Sequence, residues 1–245
     1  MELNVLARKI ETTLTNPLGA ARVASYHWAQ WSGRRELVRI GLENEVKVCE
    51  EKCRVAGALP PNYTELKNLY MDVRQRRPKV VFEFGSGLST HFLAAALRDN
   101  TAAGCSKGML YSFEHHEQWL NHTEHWLNDD LRDFVDLIYA PTRVVEMHGR
   151  QVFLYDNIPA NLTPEMIYLD GPTLNPEVRA SADILELEER LEPGFLLVID
   201  GRRDNAKFLE EHWRNRYRRT VRTGFLGGAY IQRCYEMVAK GAYTP

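Results

Sequence analysis

Two patterns of apolar positions divide the chain. Up to about residue 58, Val46, Val48, Cys49 and Cys53 stand on a mixed, charged background that predicts helices and no strands. Pro60 and Pro61 break that stretch, because a proline ring removes a backbone donor and clashes with the preceding turn. Thr64 is the expected N-cap of a short amphipathic helix reaching about Arg76. From Pro78 onward short apolar runs alternate with helical stretches, the pattern of βαβ units and a parallel sheet. The predicted strands are Lys79–Phe84, Met109–Phe113, Val135–Tyr139, Met166–Leu169 and Phe195–Ile199, with helices over Thr90–Arg98, Glu117–Asp130, Pro176–Leu191 and Asn205–Arg216. Arg218–Thr223 and Tyr230–Tyr235 flank Gly224, Gly227 and Gly228, so an antiparallel hairpin should close the sheet. A smaller hairpin, Val144–Met147 with Val152–Tyr155 around His148–Gly149, interrupts the alternation and is expected near the rim of the site.

The fold class is therefore α/β, with a doubly wound, mostly parallel sheet and an N-terminal helical extension. Residues 1–58 read as a cap or oligomerisation segment, and 59–245 as one ligand-binding domain, a division that 245 residues accommodate. With 44% hydrophobic and 26% charged residues the composition is that of a soluble enzyme, which argues against disorder and membrane spans. A net charge of -2 gives no global attraction for nucleic acid, although Arg74–Lys79 and Arg214–Arg222 are locally basic. Met1–Ile10 lacks the apolar run of a signal peptide, so a cytoplasmic protein is expected and the sequons at Asn62, Asn121 and Asn161 are chance matches. Cys49 and Cys53 have no second pair nearby to complete a metal site, and reduced, packed thiols follow.

Candidate chemistry gathers at strand ends. Val80-Val81-Phe82-Glu83-Phe84-Gly85-Ser86-Gly87-Leu88-Ser89-Thr90 is a buried strand entering a glycine turn and then a helix. Such a turn lies at the carboxyl edge of an open α/β sheet, where ligands bind. Thr90 stands where a dinucleotide fingerprint has its third glycine, which weakens a pyrophosphate reading. Glu83, inside an apolar strand, requires a partner, either a cationic ligand group or a basic residue of the fold. Glu114 ends the second strand, where an acceptor-only carboxylate suits a pair of ribose hydroxyls, and His115 or His116 is placed beside a base. Asp170 and Asp200 end two further strands and should face the same crevice, as a general base for an acceptor hydroxyl or as ligands for a hard divalent cation. The histidines from His115 to His125 lack a completing ligand set and read as solvated, while Trp119 and Trp126 read as packing a helix on the sheet. No nucleophile elbow, Walker lysine loop or catalytic cysteine signature is present.

Over residues 64 to 235 the chain resembles the class I S-adenosylmethionine-dependent methyltransferases. The likeness rests on Glu83-Phe84-Gly85-Ser86-Gly87, Glu114, Asp170-Gly171-Pro172 and the closing hairpin. It implies S-adenosylmethionine as cofactor, with Glu83, Gly85, Ser86, Gly87, Ser89 and Thr90 around the methionine moiety, Glu114 on the ribose, and His115 and Asp170 alongside. It also implies methyl transfer to a small-molecule or sugar-like acceptor; oxygen is the first choice, because Asp170 and Asp200 as catalytic acids could take its proton or position a metal, and nitrogen stays open. The strand-end acids look like those of catechol-type O-methyltransferases, which hold magnesium. Here Asp200-Gly201 replaces their Asp-Asn, and Asp204-Asn205 lies downstream, which leaves a divalent metal open. A nicotinamide-dependent oxidoreductase and a non-catalytic nucleoside-binding scaffold are the alternatives.

Overall fold

In a computed structural model, residues 17–56, 61–223 and 231–241 are described. Three helices come first: α1 (Pro17–Arg39), α2 (Glu43–Ala56) and α3 (Tyr63–Arg76). The expected turn glycines Gly224, Gly227 and Gly228, Pro60 and the first sixteen residues lie outside the described residues, as does the side chain of Cys53. The sheet strands are β1 (Val80–Phe84), β2 (Met109–Glu114), β3 (Val135–Tyr139), β6 (Met166–Leu169), β7 (Leu196–Asp200), β8 (Arg216–Thr223) and β9 (Ile231–Ala239), in the order β3-β2-β1-β6-β7-β9-β8. β9 runs antiparallel to β7 and to β8, and every other pairing is parallel, as the apolar runs and the closing hairpin predict. The chain leaves β1 in one direction to β2 and later returns on the other side as β6, so a switch-point crevice opens at their carboxyl ends.

Period-two alternation along the buried strands feeds two apolar layers. Val81, Leu110, Met166 and Val198 face a layer with Leu37 and Val46 of α1 and α2, Leu69 of α3, and Leu93 of α4 (Leu88–Ala102). Phe82, Phe84, Ile167, Leu169 and Ile199 face the opposite layer. There the small hairpin, β4 (Thr142–Met147) and β5 (Arg150–Tyr155), packs with α7 (Asp183–Leu187) and α8 (Arg203–His212). The hairpin thus forms part of the core, and its turn holds His148 and Gly149 at φ 51 and 70, as a two-residue turn of primed type requires.

Four boundaries differ from expectation. Asn62, not Thr64, caps α3: its side-chain oxygen accepts from the Glu65 amide at 3.4 Å, while Thr64 Oγ1 donates to the Ala29 carbonyl at 2.9 Å. The expected helix Glu117–Asp130 is two, α5 (Glu117–Trp126) and α6 (Asp129–Arg132). At the break, Leu127 turns inward and the Trp126 carbonyl meets the buried His91 ring at 2.6 Å. Pro176–Leu191 is helical only from Asp183. Its first part runs extended beside β5, with Ser181 bridging Phe153 and the Asn205 side chain taking both Ser181 backbone groups at 3.0 and 2.9 Å. Finally, α8 stops at His212 because the buried Glu188 carboxylate accepts from the Arg214 and Asn215 amides.

Candidate active site

At the carboxyl edge the turn after β1 meets the turn after β6. Gly85, at φ +93, leaves so little room that a Cβ on it would lie 2.7 Å from the Gly171 nitrogen. Only glycine tolerates both the conformation and the approach. Behind Gly171 sits the Tyr155 hydroxyl at the end of β5, buried and without a partner among the described residues.

Beside these turns lies a cavity of about 450 Å³, walled by Gly85, Ser86, Glu114, His115, Asp170 and, from α5, Trp119. His116, Gln118, His122, Gly171 and Thr173 complete the lining. Glu114 is 2% exposed, and its carboxylate is held by the Ser86 amide at 3.0 Å and the His116 amide at 2.9 Å, with His115 Nδ1 2.9 Å away. Burial, the largest influence, acts to raise its pKa, but the neighbouring His115 and the amides of His116 and Ser86 outweigh it and hold the acid below its usual range. The side chain is an ionised, pre-oriented acceptor at the end of the second strand.

Glu83 finds its partners within the fold. Period two places Glu83 and Ser112 on the α4 side of the sheet, and Ser89, Thr90 and Ser112 each donate a hydroxyl to the Glu83 carboxylate at 2.6 Å. These hydroxyls, and no basic residue among the described residues, partner the carboxylate. Burial raises Glu83 to about 7, against the pull of the three hydroxyls. Thr90 Oγ1 also accepts from the Gly87 amide at 2.9 Å, so this network secures the turn from beneath. Glu83, Gly87, Ser89 and Thr90 do not line the cavity.

Asp170 opens onto the cavity with its side chain 49% exposed, and its nearest cation is Arg202, Nε to Oδ1 3.9 Å. Its depth in the cleft, followed by the charge of Asp200, raises its pKa to about 7 against Arg202. Water in the open cleft offsets part of that burial. Asp200 is not part of the wall. It faces Glu65 of α3, a residue that no motif marks; burial first and the charge of Asp200 second hold Glu65 well above the usual carboxylate range, and burial raises Asp200 as well.

Two aromatic expectations change. Trp119 walls the cavity, edge-on to the buried Trp126 at 5.9 Å, and His122 both lines the cavity and stacks on Trp126 at 5.5 Å. Their spacing on α5, together with Gln118, was the available signal, since i, i+3 and i+4 positions share a helix face. His125 is exposed, as expected. Among the described residues no three His, Cys, Asp or Glu side chains converge as a metal site.

Comparison with known proteins places this geometry. Residues 82–201 match the model of a family described as a methyltransferase domain. The fold is similar to the O-methyltransferase TomG of Streptomyces achromogenes, solved in complex with SAM, at 16% identity over 80% of this chain and 90% of that one, TM-score 0.52. It is also similar to a methyltransferase from Geobacter sulfurreducens, at 18% identity over 80% and 90% of the two chains, TM-score 0.52. A putative caffeoyl-CoA O-methyltransferase from Staphylococcus aureus matches at 13% identity over 83% and 98%, TM-score 0.55. No curated protein matches by sequence. Residues 82–201, from within β1 to just past β7, thus match a methyltransferase domain, and the fold is shared with methyltransferases.

Proposed function

We propose that the cavity at the carboxyl edge binds S-adenosylmethionine and that the protein transfers its methyl group to an oxygen of a small-molecule or sugar-like acceptor. One observation carries this reading: Glu114, ionised and fixed by two backbone amides, faces a cavity whose remaining walls are the Gly85 turn, Asp170 and the Trp119 face of α5. An acceptor-only carboxylate so held matches the paired hydroxyls of a ribose, and the aromatic face matches a purine. When bound, the cofactor supplies an electrophilic methyl on a sulfonium centre.

The residues then orient the reactants and manage a proton. Asp170 lines the cavity with a half-exposed side chain, and a carboxylate whose pKa is raised toward neutrality is suited to take a proton from an acceptor hydroxyl. Asp200 supports it from the neighbouring strand end through its charge. A nicotinamide reading has less support, because the half of the sheet beyond β1 ends in an antiparallel pair in place of a second parallel mononucleotide unit.

Calorimetry with S-adenosylhomocysteine tests the cofactor site. The wild-type protein should bind, and Glu114→Ala should weaken binding by about 1–3 kcal/mol, the cost of losing hydrogen bonds to a charged group. Equal affinity in a folded variant removes Glu114 from the site, and no binding by the wild type removes the reading.

A further inference from the structure

We propose that a second cavity, beside the cofactor cleft and lined by Arg179, Arg202 and Arg203, is the subsite for an anionic group, phosphate or carboxylate, carried by the methyl acceptor. This inference rests on the methyl-transfer reading for the word acceptor, and on its own geometry for the anion.

The cavity holds about 390 Å³ and takes its walls from Leu174, Pro176, Arg179, Arg202, Arg203 and Asp204, with Asn175 between the first two. Thr173 lines the cofactor cleft and Leu174 lines this one, so a single loop, 171–176, partitions the two. A molecule reaching past that loop would present one end at Asp170 and the other to the arginines. Three guanidiniums against the single carboxylate of Asp204 make the cavity cationic, in a chain whose net charge is -2.

Each arginine retains capacity for a ligand. Arg202 spans the partition: its side chain is only 10% exposed, and Nη2 donates to the carbonyls of Asp170 and Pro172. Nη1 is buried and has no hydrogen-bond partner among the described residues. An unused donor on a buried cation carries a desolvation penalty, which the charge of an anion in the adjoining cavity would offset. Arg203 makes no ion pair among the described residues, and Arg179 meets Asp204 at 3.1 Å with both side chains more than half exposed, a pair that water screens and an incoming anion can displace. The amides of the first turn of α8 add to this, since its cap residue Arg202 makes no side-chain capping bond and the helix runs for 10 residues. Guanidinium forks suit phosphate and carboxylate alike, which leaves the choice between them to experiment.

The test is a calorimetric titration of the full chain, saturated with S-adenosylhomocysteine, using inorganic phosphate and, separately, acetate. Variants Arg179→Ala and Arg203→Ala, singly and together, serve as controls; Arg202 is left intact because it holds the loop. At least one anion should bind saturably, and the double variant should weaken it by roughly tenfold or more, the loss of a charge-assisted contact, with S-adenosylhomocysteine affinity unchanged. Binding of phosphate alone assigns a phosphorylated acceptor, and binding of acetate alone a carboxylate. No saturable binding, or equal binding by the folded double variant, overturns the proposal. So does anion binding that vanishes when S-adenosylhomocysteine is present, because the site would then belong to the cofactor's own carboxylate. If S-adenosylhomocysteine binds neither protein while the anion binds through the arginines, the methyl-transfer reading falls and the anion site stands.

Discussion

Glu83 and Asp170 show how two acids in one sheet come to different uses. Both are raised to about 7, chiefly by burial, but Glu83 is saturated by three hydroxyls while Asp170 faces an open cavity. A raised pKa in the folded state means that Glu83 favours folding most below its unfolded value near 4.5, and that this contribution is lost as pH rises through about 7. Replacing it by Gln should remove that slope, so the stability difference between wild type and Glu83→Gln should change by about 3 kcal/mol between pH 4 and pH 8. Urea melts at the two pH values measure it, and a parallel pair of curves would show that Glu83 titrates normally. Asp170→Asn should lower turnover of the true acceptor while leaving S-adenosylhomocysteine affinity nearly intact, because only the proton transfer loses its base. Wild-type turnover would make Asp170 structural. The strand-end acids and the Gly85 turn were legible in the sequence, since a carboxylate or glycine at the end of an apolar run is conspicuous. Glu65 and Arg202 were not: their roles come from what stands opposite them, and no spacing records that.

Elements were read best where one face or both had to be apolar. β1, β2, β3, β6 and β7 fall within a residue or so of their expected bounds because buried parallel strands need unbroken apolar runs. The segment 176–191 failed because its helical composition is overruled by a partner distant in sequence. Asn205, fully buried, replaces the missing helical hydrogen bonds of Ser181 with its own amide. Asn205→Ala would leave the Ser181 N–H and C=O unsatisfied and should cost roughly 2–4 kcal/mol, the penalty for two buried unpaired groups. Hydrogen exchange should then show 176–182 opening more readily than the rest of the second layer. Unchanged protection there would mean that the extended course is held by β5 alone. That segment carries Arg179, so its placement also sets the cationic cavity.

For the whole molecule, the question is whether the helices before residue 59 are a separate cap. Leu37, Leu42, Val46 and Cys49 are each at most 1% exposed and share one apolar layer with Leu69, Val73, Leu93 and Leu97. The layer on that side of the sheet is therefore composed from both sides of the expected boundary. Charge ties run the same way: Lys67 pairs with Glu36 at 2.7 Å, and Arg98 with Glu45 at 3.0 Å. A chain beginning at residue 59 would expose Leu69, Val73 and Leu93 to water, and should lack a cooperative thermal transition and associate on size-exclusion chromatography. Because truncation is a coarse change, Leu37→Ala in the full chain gives a second measure. It should cost roughly 2–5 kcal/mol, as for any fully buried leucine whose loss leaves a cavity, and S-adenosylhomocysteine should restore part of the melting temperature through binding to the folded state. A truncated protein that melts cooperatively near the full-length value, together with a cost well under 1 kcal/mol for Leu37→Ala, would establish the helices as a detachable cap. It would also make residue 59 a true domain boundary, with α3 and α4 able to close the layer alone.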